Sequence, residues 1–132
     1  FTVSANRHGA VEDVHLRTSG TGGFTLFAQS AIPVLHDLNS DKGKRFYSLD
    51  SQAYREGALP CKTKELLGLV ASFVLRCDDC IKYHIIRCFE EGVSDQELEE
   101  ALFIGLVVGG TITIPHQRRA IQAWHELKQM DK

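Results

Sequence analysis

Net charge is the first thing this sequence has little of. Its 132 residues carry 15 basic and 17 acidic side chains, a formal balance of -2, which generates no field able to gather phosphate backbones. The Arg118-Arg119 pair is too small to change that, so a nucleic-acid partner is not expected. Long apolar runs are also missing. The longest uncharged stretch, residues 101–115, is interrupted by Gly105, Gly109 and Gly110, whereas a membrane-spanning helix needs roughly 18 or more apolar residues. No transmembrane segment is expected. The chain opens at Phe1 without a basic-then-apolar leader, and the expected location is cytoplasmic. Cysteine is scarce: four residues are too few for a disulfide-dense secreted scaffold, and 43% hydrophobic residues can build a core without such staples. Sustained period-two alternation and internal repeats are absent as well, which removes the signals of a sheet protein or a solenoid.

What remains is helical. Residues 1–22 mix charges with Gly, Ser and Thr and read as a flexible N-terminal arm. Their "SGTGG" lacks the preceding strand and following Lys-Ser/Thr of a phosphate loop, so it reads as a linker. Residues 23–132 read as a single all-α domain of about six helices. Phe24, Phe27, Ala31, Leu35 and Leu38 recur at helical spacing, with Pro33 as a kink or a break. A second helix is expected from about Lys42 to Tyr54, closed by Gly57 and Pro60. Cys61 to Arg76 is a central helix, apolar on every face from Leu66 to Leu75 and therefore expected to be fully buried, if need be by a second subunit. Asp78 or Asp79 should cap a helix running to Glu91 and stopped by Gly92. Ser94-Asp95-Gln96-Glu97 is a capping box opening a helix that ends at Gly109-Gly110. The last helix follows Pro115, with Ile121, Trp124 and Leu127 as its buried stripe.

On this frame lies "RCDDCIKYH", residues 76–84. Cys77 falls between two helices and Cys80 in the first turn of the second, where free N–H groups and the positive dipole end favour a thiolate. A three-residue offset brings the two Cβ atoms to roughly 5–6 Å, close enough for a disulfide once the turn adjusts. His84 follows Cys80 by one turn and is the natural base for its proton. A base used this way needs an acid to fix its tautomer, and Glu65 is the candidate. The same acid also has a purely structural reading, as a favourable charge in a helix first turn. The Cys pair itself could equally be two buried thiols without chemistry.

The pattern Glu65, Cys77, Cys80 and His84, Glu-x11-Cys-x2-Cys-x3-His, resembles the motif of the alkylhydroperoxidase D family within the wider carboxymuconolactone decarboxylase-like superfamily. The downstream "FEEGVSDQELEEALFIGLVVGG" is similar to that superfamily's helix, Gly turn, capped helix and double Gly. The resemblance spans about residues 55–127. It implies an all-helical domain that assembles as a homo-oligomer, trimer or hexamer. It also implies thiol-dependent peroxidase or disulfide reductase activity, with Cys80, Cys77, His84 and Glu65 as catalytic residues. No resident cofactor is implied beyond the Cys77-Cys80 dithiol, which an external dithiol or thioredoxin-like protein would regenerate after reaction with a peroxide. The best-studied members carry a His just before the second Cys, where this chain has Asp79, a charge that opposes thiolate formation.

Other readings stay open beside this one: a lyase or decarboxylase of the carboxymuconolactone type, or a metal- or partner-binding oligomer. A complete zinc site from Cys77, Cys80, His84 and Cys88 is ruled out, because ligands along one helix would spread over about 12 Å at 1.5 Å per residue. Haem attachment fails because Ile81, not His, follows the second Cys. Cys61 and Cys88 read as ordinary thiols, Cys88 beside Ile85 and Phe89. His116, near Arg118, reads as part of a solvated helix face, and His125 has no partner at a telling spacing.

Overall fold

The computed structural model describes residues 41–131; the expected arm at 1–22 and the helical stretch from Phe24 to Leu38 lie outside them. The chain divides into two compact units, Phe1–Arg55 and Glu56–Lys132. Of the first, residues 41–55 are described; they form helix α1 (Asp41–Ala53), which has no buried residue and an edge-to-face pair of Phe46 and Tyr47, and the turn after it.

The second unit is built from α2 (Cys61–Val74), α3 (Asp78–Glu90), α4 (Asp95–Gly109), a single 3-10 turn (Thr111–Thr113) and α5 (Ile114–Met130). Together with α1 these are five α-helices, and the described residues contain no strand, so the chain is all-α. No described helix is long and apolar enough to cross a membrane.

Each boundary has a local cause. Pro60, extended at φ -61° and ψ 152°, precedes α2 and offers its carbonyl to the Lys64 N–H. At the end of α3, Gly92 takes φ +71° while its N–H and that of Val93 bond the Phe89 and Cys88 carbonyls. That is a Schellman turn, and its left-handed residue favours glycine. The capping box is present in full: Ser94 Oγ accepts from the Glu97 N–H, and Glu97 Oε2 accepts from the Ser94 N–H. Gly110, at φ +76°, then breaks α4 from α5.

The core forms where α2, α3, α4 and α5 meet, with Leu69, Phe73, Ile81, Ile85 and Leu102 inside. Gly105 lets α4 lie directly on α2, because a Cβ there would run into the Phe73 ring. Trp124 joins α5 to both neighbours: its ring meets Phe89 edge-on at 5.4 Å, and its Nε1–H donates to Asp95.

Two expectations about burial need correction. Ile121 is exposed, and the buried stripe of α5 is Ala120, Ala123, Trp124 and Leu127. Nor is α2 buried on every face: Leu69 and Phe73 point inward, but Leu67 is 56% and Leu75 76% exposed. Helices α3 and α4 pack against α2 from one side, so its outer apolar residues face outward in the single chain.

Candidate active site

The α2–α3 junction delivers the cysteines. Arg76, not a glycine, takes the left-handed position at φ +61° after α2; its N–H bonds Phe73, and the Cys77 N–H bonds Ser72. This second Schellman turn sets Cys77 at the N-cap of α3, where its Sγ accepts from the Cys80 N–H at 3.3 Å. The sequence had suggested Asp78 or Asp79 for that cap. Helix α3 already begins at Asp78, so both acids lie within its first turn and the cap position falls to the Cys77 sulfur. Cys77 and Cys80 are joined as a disulfide, their Cα atoms 5.3 Å apart.

Glu65 and His84 form the second pair. The His84 Nδ1–H donates to Glu65 Oε2 at 2.9 Å, with Glu65 1% and His84 8% exposed. Glu65 lies in the second turn of α2, beyond the reach of the helix terminus, so its first-turn dipole role is set aside. A carboxylate this deep requires a hydrogen-bonded partner, and His84 is one. Tyr83 packs edge-on against the His84 ring at 5.2 Å. The two pairs are connected through α3, which sets Cys80 and His84 four residues apart, one turn along the same face.

Two charged residues at the site were not picked out from the sequence. Arg87 is 7% exposed; its Nε lies 3.5 Å from Glu65 Oε1, and its terminal nitrogens reach Glu90 and Glu91. Burial works to lower its pKa, but Glu90 and Glu65 outweigh that and raise it. Glu90 itself is pushed up, by burial above all, against the pull of Arg87. The signal was there in Arg87 followed by acids three and four residues on, a pattern that ordinarily marks a solvated helix face.

His116 was expected on such a face. Instead its Nδ1 sits 2.8 Å from Asp78 Oδ1, while Arg119 donates to both oxygens of the same carboxylate. Burial would raise the Asp78 carboxyl; the bonds from Arg119 and His116 prevail and hold it below the usual range. The first turn of α5 is thereby fastened to the residue that follows Cys77.

Cys61 and Cys88 are buried thiols outside the disulfide, as expected. Burial, then the nearby Glu65 charge, pushes Cys88 up to about 12, so it stays a neutral core thiol. Among the described residues no group of three or more His, Cys, Asp or Glu side chains could hold a metal ion.

Residues 42–123 match the carboxymuconolactone decarboxylase family. A Thermotoga maritima crystal structure is similar to this chain at 61% identity and a TM-score of 0.68, covering 70% of this chain and 95% of that one. It is described as a carboxymuconolactone decarboxylase family protein with a suggested involvement in antioxidative response. A Legionella pneumophila protein of the same family shares the fold, with a TM-score of 0.73 at 24% identity over 81% of this chain and 97% of its own. Protein 4 of the cox locus of Paracoccus denitrificans, itself uncharacterized, is 24% identical over 62% of this chain and 74% of its own length. With 82 consecutive positions matched, this chain belongs to the carboxymuconolactone decarboxylase family.

Proposed function

We propose that the protein is a thiol-disulfide redox enzyme that reduces hydroperoxides through Cys77 and Cys80. One observation carries the reading: a buried Glu65-His84 hydrogen bond one helical turn beyond a Cys pair that can close into a disulfide. In the reduced protein, His84 takes the Cys80 proton on the ring nitrogen not engaged by Glu65, and Glu65 stabilises the imidazolium. The Cys80 thiolate attacks the terminal peroxide oxygen and breaks the O–O bond. This gives a Cys80 sulfenic acid and an alkoxide, which leaves as alcohol with the proton from His84. The Cys77 thiol then displaces hydroxide from the sulfenic sulfur, releasing water and forming the disulfide. An external dithiol or thioredoxin-like protein supplies the two electrons that restore the pair.

The suggested antioxidative role of the Thermotoga maritima relative supports this reading. The exposed apolar residues Leu67, Phe103, Ile104, Val107 and Val108 support assembly with further copies of the chain, because monomers rarely leave so much apolar surface open. Thiol-dependent peroxide turnover by the purified protein is the test. Cys80→Ser is expected to abolish it, and a Cys80→Ser protein with undiminished turnover would sink the mechanism. Activity on a lactone-like acid that survives thiol alkylation would replace it with a lyase reading.

A further inference from the structure

We infer that Arg87 is a positioning residue for the thiol chemistry: its buried guanidinium holds Glu65 against His84 and sets the pH at which the Cys80 thiol gives up its proton. The inference rests on the redox reading above and deepens it. Arg87 follows His84 by three residues on α3, so both side chains face the same carboxylate of α2. His84 takes Glu65 Oε2 at 2.9 Å, and the Arg87 Nε lies 3.5 Å from Oε1. Each oxygen of one buried acid thus has its own cationic or potentially cationic neighbour.

A guanidinium needed only for a helix surface pair would sit at the rim with Glu90 and Glu91. This one is drawn inward, and its Nε is a buried donor with no hydrogen-bond acceptor in proper geometry. Glu65 Oε1, 3.5 Å away, is the carboxylate oxygen within ion-pair distance of that Nε.

The other titratable groups around this cluster are Cys61 on α2 and Tyr83, Cys88, Glu90 and Glu91 on α3. On α4 and α5, Glu97 pairs with Lys62, Asp95 with Lys128, and His116 and Arg119 with Asp78. Arg87 is a cation set against the acids at Glu65. Without it, loss of a proton from the Cys80-His84 unit takes place in a more negative setting, which opposes that loss and moves it to higher pH.

The experiment measures the rate at which iodoacetamide alkylates Cys80 in the reduced full-length protein across pH, with the site mapped by mass spectrometry. Arg87→Gln is expected to move the midpoint upward by on the order of one pH unit. Arg87→Lys, which keeps the charge, should restore it. Glu91→Gln, at the solvent-facing edge, should move it downward by a smaller amount. A folded Arg87→Gln protein that titrates with the wild type overturns the inference. If Arg87→Gln does not fold, a Glu91→Gln midpoint at or above the wild type overturns it. His84→Ala separates the two levels. If it leaves the Cys80 profile unchanged, the relay reading fails and takes Arg87 with it, whereas a shift in His84→Ala but none in Arg87→Gln removes Arg87 alone.

Discussion

Helix α3 is entered and left through turns of the same kind. At its exit the Gly92 and Val93 N–H groups bond back to Phe89 and Cys88, and at its entrance the Arg76 and Cys77 N–H groups bond back to Phe73 and Ser72. The exit uses the residues such a turn favours: glycine at φ +71°, then Ser94 and Glu97 as a complete capping box. The entrance uses arginine at φ +61° and a sulfur as its cap. A left-handed conformation costs a residue with a Cβ roughly 1–2 kcal/mol, and sulfur is a weaker acceptor than a hydroxyl. Stability is given up at the turn that presents the cysteines and kept at the turn that presents none. Strained backbone of this sort gathers at functional sites, where the surrounding packing must hold it.

The comparison can be broken most severely through the chemistry at the entrance. His84→Ala should lower thiol-dependent turnover by about 10²-fold or more, as loss of a general base does, while changes at the exit leave turnover per folded molecule intact. Steady-state assays on both sets of variants, normalised to folded protein, decide this. At the exit, Gly92→Ala should cost about 1–2 kcal/mol in urea unfolding, from backbone strain alone, since an added Cβ meets nothing within 4 Å. Ser94→Ala should cost about 1 kcal/mol through the lost cap. Arg76→Gly should do the reverse and stabilise the fold by about 0.5–1 kcal/mol, the relieved strain being partly offset by the chain entropy of glycine. An Arg76→Gly protein that is less stable than the wild type would show that the arginine side chain matters more than its φ angle.

The smallest effect is acid-dependent. Asp78, next to Cys77, has its carboxyl lowered in the folded state, so its contribution is present above the ordinary value of 3.8 and is lost as pH falls through the lower folded value. Asp78→Asn should therefore lower stability above about pH 4 and flatten the loss below it, so that variant and wild type converge from pH 6 down into acid. Thermal melts across that range would check it.

Local signals were legible in the sequence because they act within a few residues. Gly92, the Ser94-Glu97 box and Gly110 mark their boundaries through backbone angles and hydrogen bonds that depend on near neighbours. Cys77, Cys80 and His84 could be placed on one helix for the same reason. The sequence by itself thus determined an all-α chain, most of its helix ends, and a Cys pair at a helix N-terminus with a histidine one turn on.

Packing between helices decided the rest. Glu65 and His84 are 19 residues apart and meet only because α2 and α3 lie against each other. Asp78 and His116 are 38 apart and meet across α3 and α5. Arg87 has the sequence pattern of a surface ion pair, and Ile121 that of a core residue, yet the first is buried and the second exposed. Side-chain periodicity reports which residues share a helix face; which face is covered, and which charges are forced to share one carboxylate, depends on the neighbouring helices.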